Sequence, residues 1–335
     1  MKSSAVFIGT KEAINNAYGT DIQTKLKEYL DFLPKIYSKE NLTNGENTQL
    51  KNVEYIFSTW GMAELCEEQI AELLPNLKAI FYAAGTVKYF ARPFLNRGVK
   101  IFSAWGANAV PVAEVTVAEI VLANKGFFQT LHNGNSSVWA EHNNGKPHPG
   151  NFNTNVGIIG AGMIGTLVIK KLKEYKLNVK VFDKFMTDER ANELGVEKVN
   201  DITELFEKCH VVSNHLANNS ETVNIIDKNC FDKMDENGIF INTGRGQQVV
   251  EKDLINALKE KPSRIAVLDV TYPEPPEKNS ELYTMPNVFL SPHLAGSIGN
   301  EVERMGEYMY NEFEAFINGK PTKYEVCEKM LETMA

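Results

Sequence analysis

The chain has 335 residues, of which 43% are hydrophobic and 23% are charged, and its formal net charge is −8. This balance is typical of a globular protein, and the length predicts two domains with a small-molecule cleft. The basic residues are scattered along the chain. No cationic stripe therefore indicates a nucleic acid or a membrane surface, and the expected partner is a small molecule.

The first residues run directly into a short apolar strand, without the long apolar region of a signal peptide. No run of 18 apolar residues occurs, so we expect no transmembrane helix. The cysteines lie far apart and form no C-x-x-C pair, which favours neither disulfides nor structural zinc. We therefore expect a cytoplasmic protein without a metal, with reduced cysteines at Cys66, Cys209, Cys230 and Cys327.

In the first part of the chain, up to about residue 104, short β-rich runs alternate with helix-like stretches, which predicts βαβ units around a parallel sheet. The runs are Val6–Ile8, Tyr55–Thr59, Ala79–Ala83 and Lys100–Ser103. A mostly apolar, buried helix is expected from about Asn108 to Leu131. A polar loop rich in turn-forming residues is expected to follow from about Glu141 to Asn155.

The second part of the chain repeats the alternation and predicts another doubly wound sheet. Its strand-like runs are Val156–Ile159, Lys180–Phe182, Val211–Ser213, Ile239–Asn242, Ile265–Leu268 and Val288–Leu290. Apolar residues at helical spacing predict a last amphipathic helix from Asn300 to Ile317. No internal repeat is visible at the level of motifs.

A Gly-x-Gly-x-x-Gly motif joins the first of these strands to a helix. Gly160 permits a tight turn, Gly162 lets the backbone approach a pyrophosphate, and Gly165 lets helix and strand pack closely. The free N–H groups of the helix N-terminus would bind the anion, which places Met163 and Ile164 at the cofactor as well. The sheet-facing residues of this helix are predicted to be Met163, Ile164, Leu167, Val168, Leu172 and Tyr175.

An acidic residue, Asp183, ends the next strand 18 residues after the motif. A carboxylate at this position can accept hydrogen bonds from the adenosine ribose, and it would repel a 2′-phosphate. The neighbouring Lys184 is a faint indication to the contrary. The motif and its context therefore favour NAD(H) over NADP(H).

Three later segments each place one ionisable side chain at the carboxyl end of a predicted strand, where open α/β sheets bind their ligands. Arg245 stands between two glycines, Glu274 between two prolines, and His293 before several small residues. Each has a simpler interpretation when taken alone. The arginine could form an ordinary salt bridge, the glutamate could belong to a surface turn, and the histidine could be structural.

Together these segments resemble the D-isomer-specific 2-hydroxyacid dehydrogenase family, in the expected order along nearly the whole chain. The resemblance implies an α/β fold of two doubly wound parallel-sheet domains. A flavodoxin-like substrate domain would comprise residues 1–104 and 297–335, and an inserted Rossmann NAD-binding domain residues 105–296. It also implies that Arg245 binds the 2-oxo acid, that His293 is the general acid and base, and that Glu274 pairs with that histidine.

Reaction chemistry supports these roles. Hydride addition to a ketone develops negative charge on oxygen, so a protonated imidazole within reach should donate a proton. A nearby carboxylate favours the imidazolium and orients the ring. His293 must then be charged for reduction and neutral for oxidation, which predicts opposite pH preferences for the two directions.

Further cofactor residues are implied by the same resemblance. Asp269 would hold the nicotinamide carboxamide and Asn242 would lie near its ribose, although both could be structural. The segment around His215 departs from the family, which usually has proline and threonine after a leucine. The full set of implied cofactor contacts adds Thr116, His215, Thr243, His293 and Gly296, and the resemblance also implies a homodimer.

Two segments of the first domain concern the substrate. Ala84 and Gly85 resemble the turn whose N–H groups bind the substrate carboxylate, although an ordinary strand-to-helix turn explains them equally well. Trp60 and Gly61 belong to a second substrate loop without a cation, which suggests an apolar or size-limiting wall. Trp60 could instead pack at the domain interface.

These observations predict an NAD-dependent enzyme that interconverts a small 2-oxo acid and its D-2-hydroxy acid, similar to a glyoxylate/hydroxypyruvate reductase or a D-lactate dehydrogenase. Phosphoglycerate dehydrogenase is an alternative, because Lys88 and Arg92 lie close enough in sequence to bind a substrate phosphate. A formate or phosphite dehydrogenase is disfavoured by Glu274, because the formate branch has an amide there. A non-catalytic NAD(H)-sensing protein that binds a partner is the alternative from another class.

Overall fold

The computed structural model describes residues 2–43, 47–132 and 148–332, and the chain divides into two compact units. Unit one comprises residues 1–108 and 297–334, and unit two comprises residues 109–296. Of the expected polar loop, residues 141–147 lie outside the described residues. Its last four residues, from Phe152 onward, belong to a strand rather than a loop.

Unit one is built on a parallel sheet of five strands in the order β2-β1-β3-β4-β5. The strands are β1 (Ser3–Ile8), β2 (Leu30–Phe32), β3 (Val53–Ser58), β4 (Ala79–Tyr82) and β5 (Lys100–Ser103). Its helices are α1 (Lys11–Ala17), α2 (Thr20–Tyr29), α3 (Lys39–Thr43), α4 (Glu67–Leu73), α5 (Ala91–Asn96) and, from the end of the chain, α13 (Glu301–Ile317). Short 3-10 helices occur at Thr48–Asn52 and Glu328–Glu332.

Both faces of this sheet are covered, because successive side chains of a strand point to opposite sides. Val6 and Ile8 enter one hydrophobic core, whereas Phe7 enters the other. Helix α13 closes the second core by placing the Phe313 ring edge-on against Phe81, with the ring centroids 5.5 Å apart. Burial of such aromatic surface explains why the end of the chain belongs to unit one.

Unit two is built on a seven-stranded parallel sheet in the order β12-β11-β10-β9-β6-β7-β8. Its strands are β6 (Phe152–Ile159), β7 (Lys176–Phe182), β8 (Glu197–Val199), β9 (Val211–Asn214), β10 (Ile239–Asn242), β11 (Ile265–Leu268) and β12 (Val288–Leu290). Its described helices are α6 (Trp105–Asn124), whose first four residues belong to unit one, α7 (Phe127–His132), α8 (Met163–Leu172), α9 (Asp188–Leu194), α10 (Thr203–Lys208), α11 (Lys228–Asp232) and α12 (Glu251–Glu260). Short 3-10 helices occur at Gly246–Gln248 and Glu281–Tyr283.

The two strand orders identify two kinds of doubly wound sheet. The order 2-1-3-4-5 in unit one is that of flavodoxin-like folds, and the first six strands of unit two follow the Rossmann order 3-2-1-4-5-6. In such sheets the ligand lies at the carboxyl ends of the strands, where the strand order reverses. The predicted fold class is confirmed.

Several expected boundaries are wrong. The edge strands β2 and β8 were not expected, since an alternation of only three residues gives little strand signal. The predicted helix from Asn108 to Leu131 starts earlier and is two helices, α6 and α7. The break falls at Gly126, whose φ of +71° is unfavourable for residues with a side chain.

Helix α6 has the length and apolar composition to cross a membrane. Of its most apolar 18-residue window, 56% is buried within the protein, as is common for core helices. Ala113, Val117 and Ile120 contribute to the core on one face of the unit-two sheet. The helix is therefore weak evidence for a membrane span.

Candidate active site

The glycine motif forms the turn between β6 and α8, beside the point where the strand order reverses. Gly160 has φ +86°, and a Cβ there would lie 2.9 Å from the carbonyl oxygen of His215. A Cβ on Gly165 would lie 2.0 Å from the carbonyl oxygen of Gly160, so only glycine allows this close packing. A Cβ on Gly162 would meet nothing within 4 Å. The open space there and the helix N-terminus fit a dinucleotide pyrophosphate.

Asp183 fixes this turn from the end of β7. Its carboxylate accepts a hydrogen bond from the Ala161 N–H at 2.7 Å and another from the Phe185 N–H at 2.8 Å. Each carboxylate oxygen can accept further hydrogen bonds, which keeps it available to ribose hydroxyls. The sequence predicted the ribose role but not the contact with the glycine turn.

The helix after the turn is oriented partly as expected. Val168 and Leu172 are buried against the sheet, and Ile164 packs on the same core. Met163 and Tyr175 are exposed, so their assignment to the sheet face is wrong. Met163 stands at the first helical position, and Tyr175 lies beyond the end of α8, where helical periodicity no longer applies.

A buried polar network shapes the loop after β10, which carries Arg245. The Asn214 side-chain amide donates to Oδ1 of Asn242 at 3.0 Å and to Oε1 of Gln248 at 2.6 Å. Gln248 Oε1 also accepts from the Arg245 N–H, and its amide donates to the Leu216 carbonyl. Asn214 and Gln248 were not predicted as site residues. For Asn214, a polar side chain at the end of a buried strand was a usable signal.

Arg245 is held close to the segment that contains Glu274. A Cβ on the adjacent Gly246 would lie 1.9 Å from the Thr271 carbonyl carbon, which requires glycine at that contact. The guanidinium donates to the Gly244 carbonyl at 2.7 Å. Burial lowers the pKa of Arg245, and the charge of Glu274 opposes that shift. The arginine therefore lies within electrostatic reach of the glutamate.

Asp269, at the end of β11, holds the loop that contains His293. Its carboxylate accepts hydrogen bonds from the Ser291 hydroxyl at 2.6 Å and from the N–H groups of Leu294 and Ala295 at 2.8 and 2.9 Å. The His293 N–H donates to the Asp269 carbonyl. Asp269 therefore has a structural role, whatever it contributes to a cofactor.

His293 and Glu274 form a close pair at this edge of the sheet. The imidazole Nδ1 lies 2.5 Å from Glu274 Oε1, and the two side chains are 45% and 41% exposed. His293 has φ +52°, a conformation that is costly for a residue with a side chain and that recurs at functional sites. The structure thus brings Glu274 and His293 together, and it packs the loop of Arg245 against the segment before Glu274.

Of the remaining predicted cofactor residues, Thr116 and Thr243 lie side by side. Their buried hydroxyl oxygens are 3.0 Å apart, which joins α6 to the end of β10. Gly296 ends unit two, directly after the loop held by Asp269. The contacts of these residues with a cofactor stay predictions.

The imidazole of His215 is buried, with Nε2 3.0 Å from the Ser213 hydroxyl and Nδ1 without a hydrogen-bond partner among the described residues. Burial lowers its pKa to about 3, so the ring is neutral at neutral pH. The backbone carbonyl of His215 borders the glycine turn at Gly160.

Glu119 is a second acidic group near Asp269 that the sequence did not single out. Its Oε2 is buried without a hydrogen-bond partner among the described residues. Burial raises its pKa to about 8, and the nearby Asp269 charge acts in the same direction. Glu119 follows Thr116 by one helical turn of α6, so both belong to one helix face.

The predicted substrate residues of unit one lie at the carboxyl edge of its own sheet. Trp60 and Gly61 follow β3, next to the strand-order reversal, and Trp60 is 45% exposed. Ala84 and Gly85 follow β4. The Ala84 N–H donates to the Tyr82 carbonyl at 2.9 Å, so it is engaged within the turn itself. Gly85 is the better candidate for an anion contact.

Cysteine and metal chemistry have no visible part in this arrangement. All four cysteines are free, and burial raises the pKa of Cys209 to about 12 and of Cys230 to about 11. Across residues 2–43, 47–132 and 148–332, no group of three or more potential metal-binding side chains occurs.

The chain is similar to known proteins of one family. Residues 117–295 match the family model for the NAD-binding domain of D-isomer specific 2-hydroxyacid dehydrogenases. A D-3-phosphoglycerate dehydrogenase of Archaeoglobus fulgidus is 29% identical over 78% of this chain and 49% of that protein. A glyoxylate reductase of Thermococcus litoralis is 28% identical over 76% of this chain and 78% of that protein.

Among solved structures, the apo form of Rhodotorula graminis D-mandelate dehydrogenase superimposes with a TM-score of 0.82, covering 98% of each chain at 19% identity. That likeness concerns the fold. The chain spans about half the length of several curated relatives that it matches. The match of more than half the chain to the family model shows that this chain belongs to the D-isomer specific 2-hydroxyacid dehydrogenase family and carries its NAD-binding domain.

Proposed function

We propose that the protein is an NAD(H)-dependent oxidoreductase that interconverts a small 2-oxo acid and the corresponding D-2-hydroxy acid. The observation that carries the proposal is the Glu274–His293 pair, 2.5 Å apart, with Arg245 in electrostatic reach of the glutamate. All three groups share one sheet edge with the glycine turn, and such an edge is where dinucleotides and their reacting substrates meet.

In the reducing direction, bound NADH supplies the hydride. Protonated His293 donates a proton to the substrate oxygen as negative charge develops there, and Glu274 stabilises the imidazolium and orients the ring through Nδ1. Nε2 is then the nitrogen that transfers the proton. The planar guanidinium of Arg245 binds the substrate carboxylate and polarises the adjacent carbonyl. In the oxidising direction, neutral His293 accepts the proton from the hydroxyl, and bound NAD⁺ would accept the hydride from the carbon that bears this hydroxyl.

The residues that would hold the cofactor follow from the same geometry. Gly162 and the first turn of α8, with Met163 and Ile164, would face the pyrophosphate, and Asp183 would accept hydrogen bonds from the adenosine ribose. A carboxylate at the ribose favours NAD(H) over NADP(H). Thr116, Asn242, Thr243 and Asp269 stay proposed contacts of the nicotinamide end.

Names of relatives and local charges bear on the substrate. Relatives named glyoxylate reductase are matched over about three quarters of both chains, whereas those named D-3-phosphoglycerate dehydrogenase are matched over less than half of their own length. Arg92, a candidate for binding a substrate phosphate, is ion-paired with Glu328. We therefore favour a small unphosphorylated acid, with phosphoglycerate as the alternative.

The family resemblance supports a homodimer as a further part of the proposal. Free cysteines fit a cytoplasmic location, where thiols stay reduced. The net charge of −8 supports neither a nucleic acid nor an anionic membrane as a partner. Analytical ultracentrifugation of the purified chain tests the dimer directly.

The experiment that tests the function follows NADH absorbance with glyoxylate, hydroxypyruvate, pyruvate, 2-oxoisocaproate, phenylpyruvate and phosphohydroxypyruvate, and repeats each hit with NADPH. We expect turnover of at least one unphosphorylated acid with a preference for NADH. Turnover of phosphohydroxypyruvate alone would select the phosphoglycerate alternative. Tight NADH binding without turnover of any acid would contradict the proposed enzymatic activity and favour an NAD(H)-sensing protein.

A further inference from the structure

An ion pair spans the two loops that flank the glycine turn of unit two. Lys184 follows β7 and Glu221 follows β9, and β6 lies between these two strands in the sheet. The Lys184 ammonium is 2.8 Å from Glu221 Oε2, and the two side chains are 67% and 66% exposed. The pair therefore lies beside the part of the site where the adenosine half of a dinucleotide is expected.

Lys184 is adjacent in sequence to Asp183, the proposed acceptor for the adenosine ribose hydroxyls. An ammonium group at this position would ordinarily attract a 2′-phosphate, which distinguishes NADP(H) from NAD(H). Here the ammonium donates to a carboxylate instead. A 2′-phosphate would thus meet the charges of Asp183 and Glu221 with one partly neutralised cation beside them.

We propose that Glu221 is a specificity-determining residue for NAD(H): by pairing with Lys184, it prevents that lysine from binding the 2′-phosphate of NADP(H). This inference rests on the proposed function, because it assumes that a nicotinamide dinucleotide binds at the glycine turn. The role of Glu221, to neutralise Lys184, is distinct from the roles of the glycine motif and of Asp183 in binding the cofactor. Glu221 acts through Lys184 and through its own charge, without contacting the reacting atoms.

The pairing has a chemical consequence that an exposed ion pair alone does not have. NAD(H) has a neutral hydroxyl at the ribose 2′ position, so its affinity depends little on the charge balance of the Lys184–Glu221 pair. A 2′-phosphate carries up to two negative charges and responds strongly to that balance. The ratio of the two affinities therefore reports the role of Glu221, whereas a change in folding or in general cofactor binding cancels out.

The test is a double-mutant cycle on the ratio of the NADPH to the NADH dissociation constants, measured by nicotinamide fluorescence with the whole chain. In Glu221→Gln, the freed Lys184 should lower this ratio about fivefold, the size expected for one partly screened charge interaction. Lys184→Met should raise the ratio, because it leaves Glu221 unpaired. The double variant should return to within about twofold of the wild type, since it removes a neutral pair.

Glu193→Gln is the matched control. Glu193 is an exposed carboxylate on α9 of the same unit, 3.0 Å from Arg190, so its substitution removes a comparable surface ion pair. The ratio of the NADPH to the NADH dissociation constants in this control variant should equal that of the wild type. The effect of Glu221→Gln should also shrink in about 1 M salt, where the screening length is about 3 Å.

Two results would overturn the inference in different ways. A Glu221→Gln ratio no different from that of Glu193→Gln, with NADH still bound, would reject the role of Glu221 and leave the proposed function intact. Failure of the wild-type protein to bind either nucleotide would reject the proposed function and this inference together. Both outcomes are measured by nucleotide binding and need no turnover. The experiment therefore also tests Glu221 if the protein is a non-catalytic NAD(H)-sensing protein.

Discussion

Two sets of polar side chains share the carboxyl edge of the unit-two sheet, and they differ in burial and in hydrogen bonding. Glu274 and His293 are nearly half exposed and pair with each other. The second set is at most 3% exposed: Asp269 is hydrogen-bonded to the loop of His293, and Asn214, Asn242 and Gln248 form a network that is hydrogen-bonded to Arg245. Reacting groups must reach a substrate, whereas groups that position them gain most from a buried network.

This contrast predicts different consequences of substitution in the two sets. Changes to an exposed reacting group should remove activity and leave folding nearly intact. Changes to a buried positioning group should reduce both, because a lost hydrogen bond leaves a buried partner unsatisfied. The ratio of the activity loss to the stability loss is therefore the quantity that separates the sets.

The largest effect is expected for His293→Ala. Loss of the general acid should lower kcat by about 1,000-fold in the reduction of the best acid found, since proton transfer is no longer catalysed. The melting temperature should change little, because the side chain is 45% exposed. Steady-state kinetics and NADH fluorescence measure the two quantities, and NADH affinity should stay within about threefold of the wild type. Normal turnover in this variant would refute the proton-transfer role.

Asp269→Asn should have the next largest effect. An amide cannot accept all three hydrogen bonds from Ser291, Leu294 and Ala295, so the loop of His293 should shift and kcat/KM should fall about 100-fold. The free energy of unfolding should fall by about 1–3 kcal/mol. Urea unfolding and kinetics measure both, with the exposed Asp232→Asn as control. Full stability with lost activity would indicate that Asp269 acts on the cofactor alone.

Gln248→Leu should lower activity less and still destabilise the protein. The variant removes the acceptor for Asn214 and the Arg245 N–H, and it leaves the Leu216 carbonyl without its donor. We expect a loss of about 2 kcal/mol in stability and a rise in substrate KM of about tenfold, because Arg245 is misplaced. If KM stayed constant while stability fell, the network would not position the arginine.

Sequence reasoning was most successful where covalent or steric rules act locally. Gly160 and Gly165 could be assigned because a Cβ would collide with neighbouring backbone, and the buried β-branched runs predicted ten of the strands near their observed positions. The fold class followed from the alternation of helices and strands. Arg245, Glu274 and His293 could be proposed because each lies in a segment that follows a predicted strand.

What the sequence did not reveal depends on distant partners. Asn214 and Gln248 lie 34 positions apart, and their hydrogen bond arises only when β9 and β10 are neighbours. The contact of Asp183 with Ala161 and the pairing of Lys184 with Glu221 likewise require the observed strand order. The short edge strands and the break at Gly126 were missed because local pattern there is weak.

The smallest effect on activity is expected for Glu119→Gln. This variant tests whether the buried positioning residue Asp269 lies beside a neutral or a charged carboxyl group. Glu119 is a partly buried carboxyl near Asp269, and its pKa is raised from an ordinary 4.5 to about 8. The folded protein therefore keeps a proton that the unfolded chain releases between about pH 4.5 and pH 8. Stability must fall as pH rises through this window, since the folded state binds more protons there.

In the glutamine variant this pH-dependent loss should disappear, because the amide does not ionise. Its stability relative to the wild type should therefore be about 2 kcal/mol more favourable at pH 8.5 than at pH 5, a value reduced from the full shift because solvent reaches part of the residue. Urea unfolding at the two pH values measures the difference, and Glu114→Gln, an exposed carboxylate on the same helix, provides the control. An equal pH dependence in both variants would show that Glu119 is ionised in the folded protein, and that Asp269 holds the His293 loop beside a second charge rather than beside a neutral acid.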